Sequence, residues 1–168
     1  YSIIGLKPDL IWRCQGDVAE INRAALHDQN NFVPEAAKPL ESLRALTRET
    51  RLTVPQGLPP MATGLFGYLG YDMVRQMERL PDKNKNDLDI DDAILIRPTV
   101  MAVFDGIENV VTVVTPVRPE PGVKAAAAYD QARRRLQETL AELEGPVPAA
   151  HEAGGGVAAL PEATSNTT

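Results

Sequence analysis

Short apolar runs separated by turn residues open the chain. Residues 1–6, 9–15 and 18–22 carry β-branched and other apolar side chains, and each run predicts a strand. Residues 7–9 and 16–17 combine Pro or Gly with Asp, which is typical of turns. The first part of the chain therefore predicts three short strands joined by tight turns.

A helical period of leucines follows a polar stretch. Residues 27–37 are polar and contain Pro34, which indicates a loop. Pro39 stands where a helix favours proline, because the first helical N–H needs no partner within the helix. Leucines then recur at helical spacing as far as Leu52, namely Leu40, Leu43 and Leu46. A Pro- and Gly-containing loop at residues 55–60 ends this predicted helix.

Glycine recurs at every third position within residues 61–72, a run that is otherwise mainly apolar and aromatic. These glycines are Gly64, Gly67 and Gly70. The run lacks the glycine order and the Lys-Ser/Thr pair of phosphate-binding loops. Glycine within a strand pattern marks a bulge or a close backbone approach. We therefore predict a buried strand packed tightly under another element, and a short helix at residues 73–79.

Two groups of polar residues raise the question of a ligand site. Tyr68, Tyr71 and Asp72 could surround a ligand, but we favour a structural hydrogen-bond network. Asp87, Asp89 and Asp91 alternate within an acidic loop at residues 82–92. That loop lacks the turn glycine and the closing glutamate of a calcium loop, so we interpret it as an ordinary hydrophilic loop.

The strongest strand signal lies between residues 93 and 115. Residues 93–104 and 107–115 are nearly continuous apolar runs, which predict a strand pair buried on both faces. Asp105 and Gly106 between them predict a two-residue hairpin turn, because glycine tolerates a positive φ. Pro98 cannot donate to a strand ladder, so it predicts a bulge or an edge at its own position.

A long amphipathic helix is predicted over residues 123–143 and ends before Gly145 and Pro146. Its apolar stripe consists of Tyr129, Ala132, Leu136, Leu140 and Leu143. Charged residues, including Arg133, Arg134 and Arg135, cover the remaining faces. The last twenty residues are rich in Ala, Gly, Pro, Ser and Thr, which indicates a linker or tail. Together these elements predict an α+β fold with a mainly antiparallel sheet and two longer helices.

Charge and composition narrow the classes of partner and compartment. The net charge is −6 and the pI about 4.9, which argues against nucleic acid or an anionic membrane as the main partner. No apolar run approaches the length of a membrane span, and no signal peptide opens the chain. A single cysteine, Cys14, fits a reducing compartment, so we expect a cytoplasmic protein and a small buried residue at that position.

No residue pattern in the chain predicts catalysis. The two histidines, His27 and His151, lie in polar or Gly-rich stretches without nearby metal ligands at regular spacing. Neither a nucleophile elbow nor a metalloprotease helix motif occurs. Arg44, Arg48 and Arg51 share the first helix and could bind phosphate or carboxylate, but a solvated helix face is the simpler interpretation.

Three segments, in this order and spacing, carry a resemblance to a known family. They are residues 1–8, residues 61–72 with the core Gly-Tyr-Leu-Gly-Tyr-Asp, and residues 92–99 with Asp-Ala-Ile-Leu-Ile-Arg-Pro-Thr. The chain resembles the N-terminal region of anthranilate synthase component I, among the chorismate-utilising enzymes. The resemblance implies that residues 1–145 belong to a larger β-sandwich architecture. Residues 146–168 would form a flexible linker toward a C-terminal chorismate-binding region, and the abrupt start at Tyr1 also suggests part of a longer chain.

The family's activity then becomes an expectation for the complete protein. The resemblance implies a lyase of tryptophan biosynthesis that converts chorismate and ammonia into anthranilate and pyruvate with Mg²⁺. The chorismate and Mg²⁺ residues would lie in the C-terminal region, so we assign no catalytic residue in this chain. Ammonia would come from glutamine through a glutamine amidotransferase subunit, component II.

The resemblance also implies feedback inhibition by L-tryptophan bound largely between the two regions. Tyr1 and Ser2 begin a strand similar to one that borders this pocket, so they are the candidate neighbours of tryptophan. Three alternatives remain open. The segment could belong to aminodeoxychorismate synthase component I, act in isolation as a non-catalytic regulatory or docking module, or be an unrelated α+β domain.

Overall fold

The structure, a computed structural model, describes residues 1–81, 90–119 and 121–146. Most of the predicted acidic loop, including Asp87 and Asp89 of the calcium alternative, lies outside the described residues. The predicted linker from residue 147 onward, with His151, also lies outside them.

An antiparallel sheet forms the centre of the described chain. The strands are β1 (Ser2–Gln15), β2 (Val18–Asn22), β3 (Val33–Pro34), β4 (Phe66–Leu69), β5 (Ala93–Asp105) and β6 (Val110–Val114). Their order in the sheet is β3-β2-β1-β5-β4. β6 lies on the same side of β5 as β4, with β4 paired to the start of β5 and β6 to its end. Every pairing is antiparallel, which confirms the predicted α+β fold with a mainly antiparallel sheet.

The prediction of two strands before residue 15 was wrong, because β1 is one continuous strand. Its two halves pair with the same partner, β5, and a register shift between Pro8 and Leu10 absorbs the expected turn. Pro8 lies opposite Pro98, so two residues without an N–H meet where the ladder is interrupted. The bulge or edge predicted at Pro98 is thus confirmed: the register shifts beside it, and on its other side Pro98 lies between the stretches of β5 that pair with β4 and with β6.

The hairpin between β5 and β6 differs from its prediction in two respects. The connection spans residues 106–109 instead of two, since Asp105 pairs with Val110. The Asp105 carboxylate accepts the N–H groups of Ile107 and Glu108 at 2.9 and 3.0 Å, which stabilises this wider turn. Double-sided burial holds for the middle of β5 but is wrong for β6, whose first two residues, Val110 and Val111, are exposed.

Two α-helices lie where the leucine spacing and the later amphipathic pattern predict them. α1 (Pro39–Thr50) begins with proline at its first turn, and α2 (Ala125–Glu144) ends at Gly145. Short 3-10 helices occur at Pro60–Ala62 and Tyr71–Gln76, the second beginning two residues before the predicted short helix.

The apolar stripe predicted for α2 is mostly not buried by the described residues. Ala132 is buried, but Tyr129, Leu140 and Leu143 are exposed. The helix instead turns Ala132 and Thr139 inward, and Arg135 Nη1 donates to Thr115 Oγ1 at 3.3 Å. The prediction that this stripe is buried was wrong, because periodicity identifies the apolar face of a helix but not which part of the protein packs against it.

The main core lies between the sheet and α1. Its buried members are Leu10, Trp12, Cys14, Ala19, Ile21, Leu46, Met73 and Ala93. The Trp12 indole N–H donates to Ser42 Oγ at 2.9 Å, and Ser42 Oγ in turn donates to Glu35 Oε2 at 3.1 Å. A buried N–H without an acceptor would cost about 1–3 kcal/mol. The Trp12–Ser42 hydrogen bond therefore fixes the position of α1 against β1 more specifically than apolar packing alone would.

Cys14 is a buried core residue, which confirms its interpretation from the sequence. Its side chain lies on the core face of β1, with Sγ 3.3 Å from the Met73 sulfur. Burial raises the pKa of the Cys14 thiol to about 11, and the negative charge of Asp92 adds to the effect. The neutral thiol is therefore the form that the fold accommodates.

The strand predicted within residues 61–72 is present as β4, but it is not buried. Phe66 is half-buried, and Gly67, Tyr68 and Leu69 are exposed along the edge of the sheet. The predicted close backbone approach is confirmed at Gly67, which has φ +154° and whose added Cβ would overlap the Ile94 carbonyl oxygen. The glycine is needed for backbone contact at an edge and not for packing beneath another element.

We expect Gly67→Ala to destabilise the chain by about 3 kcal/mol, because the new methyl group overlaps backbone atoms and the φ angle is unfavourable. Urea unfolding followed by circular dichroism measures the change. Gly106→Ala is the matched control, since nothing lies within 4 Å of a Cβ added there. Equal unfolding midpoints for the two variants would contradict the assigned β4–β5 register.

Cys14 provides a test of core burial through its ionisation. In the folded chain at pH 8, we expect iodoacetamide to alkylate this single cysteine about a hundredfold more slowly than in urea, because the thiolate is scarce. Below pH 9 the thiol is neutral in both states. As the pH rises from the ordinary pKa of 9.0 toward about 11, the unfolded thiol ionises first and the free energy of unfolding falls. Equal alkylation rates in buffer and urea would rule out this buried position.

Candidate functional site

Tyr1 and Ser2, the predicted neighbours of tryptophan, lie at the end of the sheet far from β4. Ser2 pairs with Phe104, and Tyr1 precedes β1 with 71% of its surface exposed. The Asp105 carboxylate raises the pKa of the Tyr1 phenol, first through its negative charge and then through a side-chain hydrogen bond. Both residues are exposed.

Tyr68, Tyr71 and Asp72 do not share a single environment. Tyr68 Oη donates to the Asp91 carbonyl oxygen at 2.8 Å, and Asp72 Oδ1 accepts from Arg75 Nε at 2.9 Å. Tyr71 is 89% exposed. The structural interpretation is confirmed for Tyr68 and Asp72, whereas Tyr71 projects from the surface.

The arginines of α1 lie on its solvent-facing side. Arg44, Arg48 and Arg51 are all exposed, and Arg48 Nε donates to the Arg44 carbonyl oxygen at 3.2 Å. The predicted solvated helix face is confirmed. They are not part of the cluster of four arginines that the fold brings together elsewhere.

That cluster lines a cavity of about 590 Å³ between α2 and the sheet. Four arginines reach it from distant parts of the chain: Arg23 follows β2, Arg97 lies in β5, Arg118 follows β6, and Arg135 lies in α2. We call this cavity, defined by the four arginines, the arginine cleft. His27 also lines it, and Asp9 contributes the carboxylate in its wall.

The β1 bulge positions the first ion pair of the arginine cleft. Asp9 is the extra residue between the paired positions Pro8 and Leu10, and a bulge redirects the side chain it carries. The Asp9 carboxylate accepts two hydrogen bonds from Arg97, at 2.7 Å from Nε and 3.0 Å from Nη2. This is the bidentate geometry that makes guanidinium–carboxylate pairs strong.

A second pair joins Arg23 to Glu49 in α1. Arg23 donates from Nη1 and Nη2 to the two carboxylate oxygens of Glu49 at 2.7 and 2.8 Å. The hydrogen bonds from Arg23 hold the pKa of Glu49 below its ordinary value, and Arg97 Nη1 lies 3.5 Å from the same carboxylate. Two of the four guanidinium groups are thus compensated by carboxylates.

Arg118 and Arg135 lack such compensation. Within the described part of the chain, neither has a carboxylate oxygen within ion-pair distance. The Nε and Nη2 atoms of Arg118 are buried and have no hydrogen-bond acceptor. Burial lowers the pKa of Arg118 and the adjacent positive charge of Arg97 lowers it further, while the more distant carboxylates of Asp9 and Glu49 act in the opposite direction.

Sequence reasoning did not identify this cleft. Arg135 was predicted on the solvent-exposed side of the last helix, yet it is half-buried and contacts Thr115. Arg97 belongs to one of the three family-like segments, but nothing local connects it with Arg23 or Arg118. The convergence depends on strand order, which no short window of sequence contains.

A second cavity, also of about 590 Å³, has a mainly apolar lining. It lies between α1 and the segment after it, with Leu43, Leu52, Val54 and Leu65 among its walls. Among the described residues, no group of three or more His, Cys, Asp or Glu side chains could hold a metal ion. No described helix is long and apolar enough to cross a membrane.

The chain has clear relatives among known proteins, although no protein-family model matches it. It is 49% identical over all 168 residues to anthranilate synthase component 1 of Cereibacter sphaeroides, of which it covers 33%. The protein of the same name from Mycolicibacterium smegmatis is 34% identical over 119 residues, 70% of this chain and 23% of the relative. That from Thermus thermophilus is 32% identical over 148 residues, 86% of this chain and 29% of the relative.

A solved structure supports the fold. The crystal structure of anthranilate synthase component I from Streptococcus pneumoniae TIGR4 matches with a TM-score of 0.67, covering 88% of this chain and 30% of that one. At 18% identity this likeness speaks for the fold alone. The chain spans about a third of the length of the curated relatives it matches. By its identity to them, the chain belongs to the anthranilate synthase component I family.

Proposed function

We propose that the protein carrying this chain acts as the large subunit of anthranilate synthase. It would convert chorismate and ammonia into anthranilate and pyruvate, and a glutamine amidotransferase subunit would supply the ammonia from glutamine. The observation that supports this proposal is the 49% identity, over all 168 residues, to a protein named anthranilate synthase component 1. The reaction belongs to tryptophan biosynthesis, for which we propose a cytoplasmic location.

Within that protein we assign this chain a supporting role and no catalytic residue. Apolar side chains are exposed at the end of the sheet where β1 begins and β6 starts, among them Ile3, Ile4, Val110 and Val111. Exposed apolar surface of this kind is typical of an interface. Since the chain spans a third of its relatives' length, we propose that the rest of the complete protein covers this surface.

We propose that Mg²⁺ acts in the complete protein and is not bound by this chain. Among the described residues, no group of three or more His, Cys, Asp or Glu side chains is placed to hold a metal ion. We propose that the residues binding Mg²⁺ and chorismate lie outside this chain.

Tyr1 and Ser2 remain our proposed neighbours of the inhibitor L-tryptophan. Both are exposed, and both lie at the same end of the sheet as the uncovered apolar residues. A pocket formed jointly with the rest of the complete protein would therefore include this end of β1. Tyr1 would supply an aromatic surface against the indole, with its phenol held beside Asp105.

An assay of the complete protein with chorismate, Mg²⁺ and ammonia tests the proposed activity. We expect the fluorescence of anthranilate to appear, and pyruvate to be released in equal amount. Aminodeoxychorismate without anthranilate would instead assign the protein to the related aminodeoxychorismate synthases and refute the proposal. A boiled sample and a reaction without Mg²⁺ serve as controls.

A substitution in the complete protein tests the proposed inhibitor site. We expect Tyr1→Ala to raise the tryptophan concentration for half-inhibition about tenfold or more, because one face of the pocket loses an aromatic contact. The rate without tryptophan should stay unchanged. Tyr129→Ala is the matched control, since Tyr129 is a similarly exposed tyrosine on α2. Unchanged inhibition in Tyr1→Ala would remove Tyr1 from the site.

A further inference from the structure

We propose that the arginine cleft binds a compact oxyanion, the carboxylate or phosphate group of a small ligand. This inference rests on the unpaired guanidinium groups of the cleft and is independent of the proposed enzymatic activity.

Arg97 shows how a guanidinium is satisfied in this cleft. Its Nε and Nη2 atoms form one edge of the planar group, and that edge holds both oxygens of Asp9. Arg118 has the same edge, with Nε and Nη2 buried and without an acceptor. Both arginines line the same cavity, but only Arg97 has a carboxylate acceptor at this edge. A ligand oxyanion is the group that would complete Arg118 in the way Asp9 completes Arg97.

The charge of the cleft also favours an anion. Asp9 and Glu49 compensate Arg97 and Arg23, while Arg118 and Arg135 have no carboxylate partner in the described ranges. Removing a guanidinium from water without a partner is costly, and the proximity of Arg97 adds repulsion. A bound anion between Arg118 and Arg135 would offset both costs at once. The net acidity of the whole chain does not oppose this, because the cleft concentrates its cationic groups locally.

The cleft has room and rigidity for such a ligand. Its volume of about 590 Å³ exceeds that of a phosphate or a small dicarboxylate several-fold. Pro116 and Pro119 flank Arg118 closely in the chain and restrict its backbone. Gln131, on α2, adds a side-chain amide to the wall. The lining thus combines a stiff segment with donors from a helix and from the sheet.

Binding requires one local movement. The Nε and Nη2 atoms of Arg118 are closed off from water, so an anion reaches them only when the side chain rotates toward the cavity. That rotation breaks no hydrogen bond at these two atoms, because they make none. The site is therefore poised for a ligand without the loss of an existing contact of this edge.

Isothermal titration of the 168-residue chain with sodium phosphate and with sodium malonate tests the proposal, against sodium chloride at equal ionic strength. We expect saturable binding of at least one of the two oxyanions and none of chloride. The tighter of the two identifies whether phosphate or carboxylate is preferred. Absence of saturable binding by both oxyanions would overturn the proposal.

Variants locate the binding. Arg118→Gln should weaken it about tenfold or more, because the charge and the bidentate edge are lost. Arg44→Gln, a change of the same kind on the exposed face of α1, should leave it unaltered. Arg135→Gln provides a second test should Arg118→Gln fail to fold by circular dichroism, and it should also weaken binding. Affinity that survives in a folded Arg118→Gln or Arg135→Gln chain would refute the assigned site.

Discussion

The pairing of β1 with β5 is the contact on which the rest of the structure depends. The two strands run antiparallel from Ser2 opposite Phe104 to Cys14 opposite Ala93, with one interruption at the bulge. Every other strand attaches, directly or through β2, to one of these two. Because the partners are about 80 to 100 residues apart in sequence, their pairing closes a long loop before it gains its hydrogen bonds.

The interruption of this ladder is also what links the fold to the cationic cleft. Two prolines, Pro8 and Pro98, meet at the point where the register shifts, and Asp9 is the residue that the shift leaves over. Its carboxylate therefore points to Arg97 instead of continuing the alternation of the strand. A feature that looks like a defect in strand pairing thus provides the acidic wall of the arginine cleft.

Apolar side chains are covered on one part of the sheet and exposed on another. Between the sheet and α1, a core around Trp12 is closed, and its indole N–H is satisfied by Ser42. At the end where β1 begins and β6 starts, and along α2, apolar side chains remain exposed in the described residues. The chain spans about a third of the length of the relative it matches over all its residues, and this contrast supports the proposal that the rest of the complete protein covers the exposed side chains.

The sequence by itself determined the fold class and most of the elements, although β3 (Val33–Pro34) forms within the stretch predicted as a loop. Pro39 and the leucine spacing specified α1, the apolar runs specified β5 and β6, and three ordered segments specified the family. These are local properties, carried by neighbouring residues. Tertiary structure alone decided that residues 1–15 form one strand and not two, because a single long partner holds both halves. It also decided that Arg23, Arg97, Arg118 and Arg135 converge, since strand order and the docking of α2 bring together residues from opposite ends of the chain.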